Sequence, residues 1–411
     1  MNSIQEQLLY CLAAYRQGGQ QAKTAPLAAG DWAQLRHLAS LHKMGPMVYE
    51  TLRTVPGFCA GDPAQMAAWK RDTLVQAAGQ AMRSGRMIQI GAALQEAGLR
   101  YALLKGLICR ELYAQPDLRT SGDEDVLIDP ADRPRCHQVL QNCGLVLAMD
   151  GDTVTHWQDP ATGLHIELHS QLLDRDDPAQ ARLNDAMMQQ LDHTVAAPVS
   201  GGTVQTFAPT WHFVFLVCHA LKHFLAGGVG VRTLCDIVSF AQQYQGQIDI
   251  PAAAEWLESI LGRVFLDQIF AVGQRWLGFD PQAAGWCYSA LPDPGDLLED
   301  CLEAGIYGQS SMSRRHSAEL VLHARSTGKT RVGLRSALFP ARKSLLRRYP
   351  ELERWPVLLP VCWCRRLVTY AGEVLHSGSR GNSPLESVAL GQKRAEMMQK
   401  YGILPQEGGR R

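Results

Sequence analysis

The feature that most limits what this chain can fold into is a change of hydrophobic period at Gly98. Before it, apolar residues recur at helical spacing: Ile4, Leu8, Leu9 and Leu12, then Trp32, Leu35 and Leu38, then the run 76–98, which Gly98 closes as a left-handed cap. After it, short apolar runs with period two begin. Buried backbone amides and carbonyls must be paired, so these runs need one another as strands of a small sheet.

Residues 99–106 are apolar enough for a buried strand, and 107–116 read as one short helix stopped by Pro116. Residues 123–129 alternate as a second strand. A helix follows that starts between Asp129 and Pro134 and ends at Gly144. Two strands then flank the turn Asp150-Gly151-Asp152, and residues 164–173 supply another. From Trp211 the helical period returns, with Thr210 as N-cap, through 232–244, 253–278 and 295–308. The expected fold is α+β and mostly helical: a helical region 1–97, an α/β core 98–205 and a helical domain 206–411.

A length of 411 residues exceeds what one core usually holds. Forty basic and forty acidic residues give a net charge of +0, so no global field recruits nucleic acid or an anionic membrane. The longest apolar run, 211–231, carries three histidines, a lysine and paired glycines, so no membrane span is expected. The N-terminus lacks the basic start and cleavage site of a signal peptide. Eleven dispersed cysteines, with Cys362 and Cys364 too close together for a zinc finger, fit buried thiols in a reducing cytoplasm.

The chemistry concentrates where Asp123, Glu124 and Asp125 enter the second strand. Side chains alternate along a strand, so Asp123 and Asp125 share a face while Glu124 points with Val126 and Ile128. Two carboxylates that close raise each other's pKa unless a cation lies between them, and Mg2+ or Mn2+ suits such a pair. The same parity puts His165, Glu167 and His169 on one face of residues 164–173. If the two strands are neighbours, three carboxylates converge, and two metals about 4 Å apart could clamp an attacking oxygen and a triphosphate in line. Lys105 and Gly106, at a strand-to-helix step, offer a close backbone approach to phosphate and a point charge. Taken singly, each element has an ordinary reading as a solvated turn, a surface junction or a wet strand face.

In order and spacing, residues 101–113, 117–147 and 165–173 resemble the uncharacterised bacterial nucleotidyltransferase family of the DNA polymerase β superfamily, which carries a Leu-Lys-Gly step, an Arg upstream of Asp-x-Asp, and a Glu-Leu-His strand. His42 and Pro46 match its N-terminal helical stretch, and His219, Lys222, His223, Arg232 and Asp236 its C-terminal one. The segment 338–350 is similar to its closing segment. The resemblance implies a polymerase β-like sheet and transfer of a nucleoside monophosphate from an NTP to a hydroxyl acceptor, a small molecule or peptide rather than nucleic acid. It implies Asp123, Asp125 and Glu167 as metal ligands, with Glu167 helping to activate the acceptor, and Gly106 at the triphosphate. It also implies Lys105, Arg119, His169, His219 and His223 on the nucleotide side. Two departures stand out. No serine follows Gly106, and the residue between the aspartates is Glu124 rather than an apolar one, so Glu124 needs Arg119, Arg133 or another cation.

Three readings are therefore open: a magnesium-dependent nucleotidyltransferase, a degenerate member that binds a nucleotide or partner, and a zinc hydrolase using His165, Glu167, His169 or helical histidines. His212, His219 and His223 form one helical stripe, which suits buried structural histidines, zinc or a cleft-facing surface, while Arg232 and Asp236 are spaced for an i,i+4 pair. An arginine-rich segment, 314–366, reads as a solvated face or a surface for an anionic acceptor.

Overall fold

The helical period of the first hundred residues is realised as α1 (Ser3–Arg16), α2 (Asp31–Leu41), α3 (Gly45–Leu52) and α4 (Pro63–Glu96). Asn2 and Gln5 cap α1 reciprocally, and Asp62 caps α4 with Pro63 in its first turn. Gly98, at φ +67°, ends the last turn as expected. The computed structural model describes residues 1–18, 27–28, 30–59, 62–288, 293–306, 314, 342–345, 349, 351–365 and 384–403.

The strands are β1 (Tyr101–Leu104), β2 (Glu124–Ile128), β3 (Val146–Asp150), β4 (Val154–Gln158) and β5 (His165–His169), in the order β1-β2-β5-β4-β3. β2 and β5 are parallel; the other three pairings are antiparallel. β2 is buried along its whole length, which is why it reads as an unbroken apolar run after the acids. The helix expected over 107–116 is shorter, α5 (Gly106–Arg110). Pro116 forces Gln115 into an extended conformation and opens a short 3-10 turn, Pro116–Leu118. Between β2 and β3 lies α6 (Arg133–Asn142), closed by Gly144 at φ +85°.

The sequence reading did not foresee α7 (Pro178–Gln189) or the hairpin of β6 (Val195–Val199) and β7 (Gly202–Thr206). β7 lies beside β1, where the Thr206 hydroxyl donates to the Leu103 carbonyl at 2.7 Å. Next comes α8 (Pro209–Ala226), which begins at Pro209, so Thr210 is not its N-cap. The Thr210 hydroxyl instead accepts from the Asp249 amide at 2.9 Å. α9 (Val231–Gln243) follows. The helix expected without interruption over 253–278 is broken at Leu261, which sits at φ +65°, giving α10 (Ile250–Ser259) and α11 (Gly262–Trp276).

The chain divides into two compact units, Met1–Cys218 with Arg232–Pro292, and His219–Val231 with Asp293–Arg411. The first holds both sheets and is mostly helical α+β. In the second, α12 (Gly295–Ala304) and the helix Pro384–Lys400 are joined by a buried Arg394–Asp300 contact at 3.3 Å and by Lys393 on Glu299 at 2.8 Å. Most of the arginine-rich stretch lies outside the described residues. No helix among the described residues is long and apolar enough to cross a membrane.

Candidate active site

Register brings the acids together. Asp125 on β2 stands directly opposite Glu167 on β5, and Glu167 stands opposite His156 on β4, so three strands contribute to one row. His169 lies two residues along β5, with its Nε2 3.1 Å from Asp125 Oδ1 and 3.6 Å from Glu167 Oε2. His156 Nδ1 is 3.6 Å from Glu167 Oε1. Asp123, half-buried just before β2, has no hydrogen bond or ion pair among the described residues and acts on Glu167 as a like charge. Burial, then Asp125, then Asp123 push the Glu167 pKa up from its ordinary value, against a smaller opposing effect of His169 and His156.

Ligand atoms of Asp125, Glu167 and His169 all lie within 4.8 Å of one another. Two carboxylates and an imidazole at that spacing fit a divalent cation with oxygen and nitrogen donors. Among the described residues, Lys105 brings a cation of the protein to this row, its Nζ 3.0 Å from Asp125 Oδ2.

Lys105 and Gly106 make the step from β1 to α5. Lys105 adopts φ +65°, ψ −128°, a conformation that costs a non-glycine residue of order 1–3 kcal/mol. His212 on α8 holds it from the protein interior. The Lys105 amide donates to His212 Nε2 at 3.3 Å, and His212 Nδ1 lies 2.9 Å from the Thr206 hydroxyl. That hydroxyl gives its proton to Leu103, so Nδ1 carries the imidazole proton and Nε2 is the acceptor. Complete burial pushes the His212 pKa down to about 3 and keeps the ring neutral. Its ring stacks on Phe240 at 4.9 Å.

A close contact requires glycine at Gly106. A Cβ there would lie 1.8 Å from Glu124 Oε2. Glu124 faces this turn because the Leu107 amide donates to it at 2.8 Å and Arg110 pairs with it in full burial. The cation that Glu124 needs is thus Arg110, not Arg119 or Arg133; Arg133 pairs with Asp150 across the β3–β4 turn. The backbone donor at the start of α5, expected to face phosphate, is engaged by Glu124.

Arg119 is fully buried, paired with Asp236 on α9, with its Nε 3.2 Å from Asp236 Oδ1. Tyr113 donates to the same carboxylate at 2.9 Å. The expected Arg232–Asp236 pair is therefore corrected. Asp236 faces Arg119, while Arg232 donates to the Thr120 carbonyl, and both contacts fix the loop that delivers Asp123. His219 and His223 belong to the second unit, where their rings lie 4.5 Å apart; His212 of the same stripe belongs to the first. His165 is exposed at the start of β5. The sequence reading missed His156, Arg110 as the partner of Glu124, and His212 as the anchor of Lys105. Each depends on register or tertiary contact.

The fold is mostly helical α+β, with a five-strand mixed sheet that carries the acidic row. The family model described as "Uncharacterised nucleotidyltransferase" matches residues 28–278, more than half the chain, and the protein belongs to that family. No curated protein and no solved structure matches.

Proposed function

We propose that the protein transfers a nucleoside monophosphate from an NTP to a hydroxyl acceptor, releasing pyrophosphate, and that Asp123, Asp125 and Glu167 hold Mg2+ or Mn2+ for this reaction. The observation that carries the reading is the cross-strand Asp125–Glu167 pair, with Asp123 close enough to raise the Glu167 pKa. Three acids in one row carry more negative charge than the Lys105 ammonium on Asp125 balances, and a divalent cation would neutralise the rest. When bound, the cation supplies charge neutralisation at the phosphoryl oxygens and lowers the pKa of a bound hydroxyl. In this reading Glu167, half-buried at the row, takes the acceptor's proton as the acceptor oxygen bonds to the α-phosphorus and the bond to the bridging oxygen breaks, so that pyrophosphate leaves. His169 orients Asp125, and Lys105 and Gly106 lie beside the row where triphosphate charge would be met. His219 and His223 are proposed on the nucleotide side from the family resemblance alone.

A second reading, a nucleotide- or partner-binding module without chemistry, is favoured by Glu124. Its carboxylate takes the Leu107 amide at the turn, and no serine follows Gly106. Incubating the protein with each labelled NTP, Mn2+ or Mg2+ and cell extract separates the two. Transfer of label with pyrophosphate release supports the enzyme, and nucleotide binding without pyrophosphate supports the module.

A further inference from the structure

We propose that Lys105 is a tethered counter-ion of the acidic row. In this proposal its ammonium neutralises Asp125 until a divalent cation binds, is displaced by that cation, and then pairs with the phosphates of the incoming nucleotide. This rests on the reading of the row as a cation site.

The first support is position. Lys105 and Asp125 are both buried, 6% and 1% exposed, and the ammonium contacts Asp125 Oδ2 while His169 contacts Oδ1. A divalent ion bound to Asp125 and Glu167 would meet that ammonium at close range in a poorly solvated setting, where like charges repel strongly. Ion and ammonium therefore compete for the same carboxylate.

The second support is the backbone. Glycine would adopt φ +65° without strain, yet this position carries a lysine, so its side chain contributes something that offsets the unfavourable conformation. His212 fixes the Lys105 amide, so the ammonium hangs from a stationary Cα on a flexible four-carbon stem. Displacement from Asp125 then becomes a pivot of the head rather than a rearrangement of the turn.

The third support is the state of the neighbouring donors. The Leu107 amide and Arg110 both engage Glu124, and neither engages the acidic row. Lys105 is the group at this turn whose partner a metal would take. Metal binding would thus release positive charge beside Gly106, and cation and nucleotide would bind with positive cooperativity.

The test uses the full chain, Mn2+ alone as probe with free Mn2+ followed by electron paramagnetic resonance, and then an α,β-methylene ATP analogue at saturating Mn2+. Wild type is compared with Lys105→Met and Lys105→Gly, the latter relieving the strained φ so that a folded variant is in hand, as thermal melts check. Both variants are expected to bind Mn2+ about tenfold more tightly, and the analogue about tenfold more weakly, than wild type. Glu167→Gln should lose the Mn2+ site. Equal or weaker Mn2+ affinity in both Lys105 variants, with wild type still binding through Glu167, overturns the counter-ion and leaves the cation row standing. If wild type binds no Mn2+, or Glu167→Gln binds it unchanged, the row and the counter-ion both fall.

Discussion

Gly106 and Glu124 are locked against each other: the space a Cβ would need at position 106 is filled by Glu124 Oε2, 1.8 Å away. That carboxylate cannot swing aside cheaply, because the Leu107 amide and Arg110 both hold it. Gly106→Ala is therefore expected to destabilise the fold by about 1–3 kcal/mol through overpacking. Urea unfolding at neutral pH reads this directly, and a midpoint equal to wild type would show that the turn relaxes freely.

The buried pair Arg119–Asp236 links the loop before Asp123 to α9. Asp236→Asn leaves a charged guanidinium in the interior and should cost about 3–5 kcal/mol. Arg119→Met with Asp236→Leu removes both charges and should be less destabilising than the single change, although Tyr113 then loses its acceptor. Chemical denaturation of the single and double variants decides it; a double variant as unstable as Asp236→Asn would show that shape rather than charge dominates there.

His212 should leave a signature in acid. Its pKa is about 3 in the folded chain against an ordinary 6.5, so the unfolded chain binds a proton that the folded chain refuses. This contribution is fully present above 6.5 and is lost as pH falls through that value toward 3, at up to about 1.4 kcal/mol per pH unit. His212→Gln keeps an acceptor for the Lys105 amide and removes the titration. Its stability should fall less steeply than wild type between pH 6.5 and 3, and parallel profiles would contradict the assignment.

What the sequence made legible was local. The alternation that puts Glu167 and His169 on one face of β5 is a property of that strand alone, and the glycine caps at Gly98 and Gly144 follow from single-residue φ preferences. What it hid was tertiary. Arg232 and Asp236 have the spacing of a helix pair, but α9 is buried there, and Asp236 takes Arg119 from a loop 117 residues away. His156 reaches Glu167 through the register of β4, set by pairing with β5 rather than by its own alternation. Arg110 finds Glu124 because α5 starts at Gly106 directly against β2, a tertiary contact its composition does not announce.

Asp123 and Glu167 separate binding from chemistry in the acidic row. Asp123 has no hydrogen-bond or ion-pair partner among the described residues, so Asp123→Asn removes a charge at little structural cost and relieves a like-charge neighbour of Glu167. With unchanged melting and a lost Mn2+ response, its transfer activity should fall by at least about a hundredfold, since the reaction depends on charge held at the phosphoryl group. Glu167→Gln removes the proposed proton acceptor as well as a ligand. Its kcat should fall by about 10²–10⁴-fold, while NTP affinity should fall only by the roughly tenfold that its coupling to the cation supplies, because the proton moves only as the new bond forms. Single-turnover kinetics beside equilibrium NTP titration measures both quantities. Equal losses in the two would mean that Glu167 only helps to hold the nucleotide.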